Sequence, residues 1–145
     1  MSNIKFRVPK NKKEFEEYDL FRWRMLRKPI GKTIESLKDE YEDSGFHIIG
    51  VINNKIIACG RLHFIDHAKA QIRYMAVDEK YQRKGIGSDM LKILENHAIE
   101  NNAKKIILNA RDHALKFYTS SKYIILRRYY GSDTGIPHTT MAKNI

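Results

Sequence analysis

Between Ala70 and Ala98 the chain passes from a β-rich run, through a basic loop punctuated by glycine, straight into a long amphipathic helix. The strand signal closes on Tyr74-Met75-Ala76-Val77. The loop is Asp78-Glu79-Lys80-Tyr81-Gln82-Arg83-Lys84, and Gly85-Ile86-Gly87-Ser88 opens the helix. Apolar residues then recur at helical spacing at Ile86, Met90, Ile93, Leu94 and Ala98. A strand that feeds a helix with one apolar stripe must lay that helix on a sheet, which implies a layered α/β architecture. The junction also has chemistry. N–H groups in the first turn of a helix lack intrahelical partners and attract anions. Glycine at 85 and 87 opens the main chain to close approach, Arg83 and Lys84 add positive charge, and Ser88 adds a hydroxyl. Taken alone, the loop reads either as a phosphate cradle or as a basic turn before a helix.

The flanking segments complete the layers, and 145 residues are expected to form one domain spanning 1–145. Ile4–Val8 alternates like a half-buried strand, and Asn11 with Glu14 forms a capping box ahead of a helix carrying Phe15, Tyr18, Phe21 and Met25. Pro29-Ile30-Gly31 ends that helix, and Thr33 opens a second one with Ile34, Leu37 and Tyr41. Phe46–Ile52 and Ile56–Phe64 read as a hairpin turning at Asn53-Asn54-Lys55, with Ala70–Val77 as the third strand of the meander. Lys105–Ala110 is a short buried strand, Asp112 caps a short helix, and Tyr123–Tyr130 and His138–Ala142 form a last strand pair. The expected fold is α/β (α+β): a mixed, mostly antiparallel sheet of about seven strands flanked by about four helices.

Three motifs in this order resemble the GNAT family of acetyl-CoA-dependent N-acetyltransferases. Gln82-Arg83-Lys84-Gly85-Ile86-Gly87 matches its Q/R-x-x-G-x-G/A signature, and Ala114-Leu115-Lys116-Phe117-Tyr118 resembles its A-x-x-F-Y. Gly135-Ile136-Pro137-His138, followed by Met141, looks like the closing segment of a subgroup of small bacterial members. The resemblance covers essentially the full chain and implies a GNAT-like acyl-CoA N-acyltransferase fold, with acetyl-CoA as co-substrate and no metal. Backbone amides of Gln82, Arg83, Lys84, Gly85, Ile86, Gly87 and Ser88 would hold the coenzyme pyrophosphate. Main-chain groups of Met75, Ala76 and Val77 would pair with the pantetheine arm. Tyr118 corresponds to the tyrosine that protonates the departing thiolate, a role suited to a phenol. Without the motifs, Phe117 and Tyr118 read as core aromatics.

The pattern departs from the family at three positions. Where some members carry a glutamate base, six residues before Val77, this chain has Gln71, which cannot take a proton. His63, His67, His113, His138 and Glu79 are the titratable alternatives, led by His113 and His138; each histidine reads equally as a surface or structural residue, with a base acting through water or no dedicated base as the other readings. Arg111 stands where an amide side chain is common and reads as a ligand of a coenzyme phosphate, as a ligand of the acceptor, or as a plain surface residue. Lys122 replaces a glycine that ends a helix in the left-handed region, so the turn either differs or carries strain.

Charge leaves more than one class of partner open. With 27 Lys and Arg against 17 acids the net charge is +10, which suits a polyphosphate coenzyme and equally a nucleic acid. Arg22, Trp23, Arg24, Arg27 and Lys28 form a basic–aromatic cluster that reads as an anion or base-stacking site, or as a basic helix face with Trp23 on the core. The single cysteine, Cys59, excludes an internal disulfide. No apolar run approaches a membrane span, and the chain is expected in the cytoplasm. The function expected is acetyl transfer to a primary amine of a small molecule or peptide, in a monomer or homodimer. A nucleic-acid-binding module and a coenzyme A-binding protein without catalysis are the alternatives.

Overall fold

The computed structural model describes residues 3–129 and 135–145, so most of the loop before Gly135 lies outside the described residues. Seven strands form one sheet in the order β1-β2-β3-β4-β5-β7-β6. They are β1 (Lys5–Arg7), β2 (Phe46–Ile52), β3 (Lys55–Phe64), β4 (Lys69–Val77), β5 (Lys105–Arg111), β6 (Ile124–Tyr129) and β7 (His138–Asn144). Every neighbouring pair is antiparallel except β4–β5. Asn53 and Asn54 both take positive φ, 50° and 62°, as a tight hairpin requires, and Lys55 pairs with Ile52 inside the ladder.

Helix α1 (Lys12–Arg22) begins where the Asn11 side chain accepts the Glu14 N–H at 2.9 Å. It continues through a π-turn over Trp23–Arg27 and a 3₁₀ turn over Lys28–Ile30, and closes on left-handed Gly31 at φ 74°. The second N-terminal helix expected after Thr33 is a single 3₁₀ turn, Ile34–Leu37. Of its apolar residues Leu37 is fully buried, and the following residues Asp39 and Glu42 are drawn onto buried arginines instead of continuing a helix. Helix α2 (Ile86–Glu100) and short α3 (Leu115–Ser120) complete the helical set. Asp112 is not the cap of α3; its carboxylate pairs with Arg128 at 2.9 Å.

Helix α2 buries Ile86, Met90, Leu91, Leu94 and Ala98 on Ile48, Ile57, Leu62, Ile72, Ile106, Leu108 and Met141. The approach is close over β3, because a Cβ on Gly60 would stand 2.9 Å from Leu94. On the opposite face α1 covers β2 and β3 with Tyr18 and Phe21, but its third fully inward residue is Arg22, while Phe15 is 37% exposed. That face holds an ionic cluster. Arg22 and Arg61, both 0% exposed, share the Glu42 carboxylate, and Arg61 also grips Asp39 through both terminal nitrogens. A buried guanidinium is tolerable only when carboxylates meet it in this way. Among the described residues no helix is long and apolar enough to cross a membrane.

Candidate active site

Strands β4 and β5 run side by side only for Lys69–Gln71 against Lys105–Ile107. Beyond that point β5 stays paired to β7 along its full length, while β4 bends away. The bend has a local cause. Cys59 pairs with Ala76 but Arg61 pairs with Arg73, so β4 carries an extra residue, and Tyr74 absorbs it at φ +58°. The Tyr74 carbonyl takes the Cys59 thiol at 3.2 Å in place of a ladder N–H. Ile72–Val77 therefore line one side of an open cleft whose other side is Leu108–Arg111. The Asp78 N–H bonds Ile57 O in β3, so by the strand's alternation the N–H and C=O of Val77 turn toward the cleft side. That carbonyl is held by the Gln82 side-chain amide at 2.8 Å.

The glycine loop stands at the head of this cleft. Arg83 (φ 63°) and Gly85 (φ 84°) both take positive φ on either side of Lys84, which does not, a sharply turned backbone at the start of α2. The first bond of α2 runs from the Asp89 N–H to Gly85 O, leaving the N–H groups before it outside the helical ladder. Nothing lies within 4 Å of where a Gly85 Cβ would sit, and a Gly87 Cβ would touch the Phe117 ring at 3.4 Å and Val77 at 3.9 Å. Gln82, Arg83, Lys84, Gly85 and Ser88 are exposed, and buried Ile86 anchors the loop to the core. Such a cradle fits a pyrophosphate. The neighbouring main chain of Met75, Ala76 and Val77 fits an extended amide-bearing arm.

Tyr118, on α3, reaches the cleft from below, its hydroxyl 3.9 Å from Met75 Sδ. It is 8% exposed, and burial pushes its phenol up to about 12, so the proton stays on at neutral pH. Phe117 and Tyr123 brace it edge-on. Lys122 takes the left-handed conformation of the missing glycine, φ 78°, and the Tyr123 N–H still closes onto Tyr118 O at 3.0 Å. The helix end is thus kept with a strained lysine.

Other expected site residues scatter. Arg111 lies on the α1 face of β5, not beside the glycine loop, and donates to Leu26 O at 3.0 Å. His63 is buried and stacked on Tyr41; Arg61 donates to its Nδ1, and its Nε2–H meets Gln71 Oε1 at 3.1 Å. Burial and the Arg61 charge hold it at about 4, so it is a neutral structural imidazole. Glu79, His67 and His113 are exposed. His138 is half-buried directly opposite Arg111 in the β5–β7 ladder, with Nδ1 2.8 Å from Ile136 O. The basic–aromatic cluster is split by the fold. Arg22 and Arg27 point inward, Arg24 and Lys28 lie outside, and the Trp23 indole N–H bonds Lys32 O. Sequence reading missed Asp39, Glu42, Arg61 and Arg73 as an ensemble. The available signal was an arginine in mid-strand, at Arg61, amid apolar neighbours. Among the described residues no His, Cys, Asp and Glu group converges on a metal position.

A sheet that parts between its one parallel pair, with a glycine cradle at the opening and a buried tyrosine at its floor, defines the N-acetyltransferase class of fold. The chain belongs to the GNAT acetyltransferase family, whose model, described as "Acetyltransferase (GNAT) family", matches residues 8–122. Among solved structures it is similar to an acetyltransferase of the GNAT family from Staphylococcus aureus Mu50, at 19% identity over 97% of this chain and 98% of that one, TM-score 0.79. A GNAT family acetyltransferase from Elizabethkingia anophelis with acetyl-CoA bound matches over 100% of both chains, at 21% identity and TM-score 0.75. An aminoglycoside 6'-N-acetyltransferase complexed with coenzyme A matches at 14% identity and TM-score 0.79, over 97% and 96%.

Proposed function

We propose that the protein transfers an acetyl group from acetyl-CoA to the primary amine of a small molecule or peptide. The observation that carries this reading is the cleft: an unpaired β4 edge running from the glycine cradle to the Tyr118 hydroxyl. Gln82–Ser88 would bind the pyrophosphate through main-chain N–H groups, and Met75–Val77 would hold the pantetheine as an added strand. Tyr118 would donate its proton to the departing sulfur. Holding both substrates in attack geometry would supply much of the rate. The bound coenzymes of similar folds support this reading. The division of the Arg22–Lys28 cluster between core and surface weakens the nucleic-acid reading, because that cluster does not present one continuous face.

Thermal unfolding with and without acetyl-CoA is the test. At 100 times its dissociation constant the ligand should add about 2.7 kcal/mol, a shift of several degrees that persists at moderate salt and is absent with ATP. Gly87→Glu, which places an acid in the cradle, should fold normally and lose the shift. No shift in the unaltered protein would overturn the assignment.

A further inference from the structure

We infer that the acceptor is an amine carrying an acidic group, docked on Arg111 and Arg73 so that its nitrogen lies at Nε2 of His138. The inference rests on the acetyltransferase reading and names the substrate of that same cleft.

Three placements carry it. First, the alternation of β5 puts Ile106, Leu108 and Ala110 into the α2 core, which turns Arg111 to the α1 face of the cleft. There it is half-buried and spends one N–H on Leu26 O; among the described residues it meets no carboxylate. Arg73 reaches the same face from β4. Its Nη1 bonds Asp39 at 2.7 Å, but Arg61 holds both oxygens of that carboxylate, and the Arg73 side chain is 39% exposed. The two walls of the opening thus each present a guanidinium with donors left over, Arg111 meeting no carboxylate among the described residues and Arg73 sharing its one carboxylate with Arg61, a geometry suited to a carboxylate or phosphate. Second, His138 is the cross-strand partner of Arg111. Its Nδ1 faces the Ile136 carbonyl, so Nδ1 carries the hydrogen and Nε2 keeps the lone pair of a base. Third, the bulge residue Tyr74 is 8% exposed with a hydroxyl that has no hydrogen-bond partner among the described residues, and Arg73 lies 4.5 Å from its ring centre. That hydroxyl sits among the guanidiniums of Arg22, Arg61 and Arg73, where Arg22 Nε and Arg61 Nε are unsatisfied too, so the cluster that reaches the opening through Arg73 has more donors than acceptors.

The groups around His138 keep it ready to accept a proton. Burial lowers its affinity, the Ile136 carbonyl raises it, and the charges of Arg111 and Arg73 lower it again, against an opposing contribution from Asp112. The Tyr129 ring of β6 stands edge-on to His138, the ring centres 6.4 Å apart. In the step itself the amine nitrogen bonds to the acetyl carbon, the carbon–sulfur bond breaks, and the ammonium proton passes to His138 Nε2. The sulfur leaves as thiol with the Tyr118 proton. Solvent then restores Tyr118 and takes the proton from His138.

The test follows free thiol released from acetyl-CoA with matched acceptors: free amino acids, their amides, aminoalkyl phosphates and plain diamines. Acid-bearing amines should exceed their neutral counterparts by about 10- to 100-fold in kcat/KM, and comparison of the carboxylate and phosphate arms identifies the acid. Arg111→Gln should raise KM about tenfold or more with kcat nearly kept, while His138→Gln should lower kcat about 10²-fold with KM kept. A merely structural histidine would not remove the acidic limb of the kcat profile. Amides or diamines used as well as the acids would overturn the proposal. If no acceptor in the panel turns over, calorimetry of N-acetylglycine and its amide on the coenzyme A complex decides: preference for the acid, lost in Arg111→Gln, upholds it, and equal or absent binding overturns it. The acetyl-CoA thermal shift, recorded on every variant, separates failure of this proposal from failure of the transferase reading.

Discussion

On one face of the sheet α2 seals Ile57, Leu62, Ile106 and Met141 beneath Met90 and Leu94. On the other, α1 and the segment after Thr33 close over Arg22, Arg61, Asp39, Glu42, His47 and His63. Both faces are buried, yet they hold their elements differently. Apolar packing is non-directional, so the α2 face sets a distance and lets the glycine loop sit where the helix begins. Ion pairs with buried guanidiniums are directional and specify which acceptor meets which nitrogen. The glycine-loop side is therefore positioned by volume, and the opposite side of the cleft by a hydrogen-bond pattern that reaches Arg73.

Removing the acceptor shared by the two buried arginines should have the largest effect. Glu42→Ala leaves Arg22 and Arg61 short of charge compensation, and urea denaturation should show a loss of about 3–5 kcal/mol. Leu94→Ala, on the apolar face, should cost about 2–5 kcal/mol. A Glu42→Ala loss under about 1 kcal/mol would show that the polar face is held by something other than its ion pairs. Next comes a functional contrast on the apolar side: Tyr118→Phe should lower kcat about 10²-fold and leave acetyl-CoA affinity unchanged, measured by thiol release and by calorimetry.

Acid should loosen the polar face before the apolar one. His63 is held at about 4 by burial and by Arg61, so between the ordinary histidine value of 6.5 and 4 the unfolded chain takes a proton that the folded chain refuses. Stability is then lost as pH falls through that window. Glu42 adds a second loss from 4.5 down to about 2: burial alone would raise it, but the hydrogen bond and charge of Arg22 hold it low. Each group contributes at most about 1.4 kcal/mol per pH unit. His63→Gln should shrink the first loss, to which buried His47 also contributes, and keep the second, as read from urea midpoints between pH 7 and 3. The smallest effect is at Lys122: relieving its left-handed backbone with Lys122→Gly should raise stability by about 0.5–1 kcal/mol in the same assay.

Local pattern carried most of the architecture. Helix α2, the Asn53-Asn54 hairpin and the seven strands all rest on spacing and turn residues that need no distant partner. The glycine loop was legible for the same reason, since a turn of consecutive main-chain groups is written in consecutive residues. The segment after Thr33 was not. Ile34, Leu37 and Tyr41 have helical spacing, but Asp39 and Glu42 gain more from buried arginines on α1 and β3 than from further helical turns, and nothing local announces those partners.

The acceptor side shows the same division more sharply. Arg73, Arg111 and His138 are 65 residues apart from first to last, and each alone reads as a surface charge or a stray histidine. Strand order and the Tyr74 bulge bring them to one opening. Sequence spacing dictated the strands, helix α2 and the glycine loop, because those depend on neighbours a few residues away. Which charged side chains face one another across the cleft was settled by sheet pairing, whose partners lie tens of residues apart and whose register decides the face on which each side chain emerges.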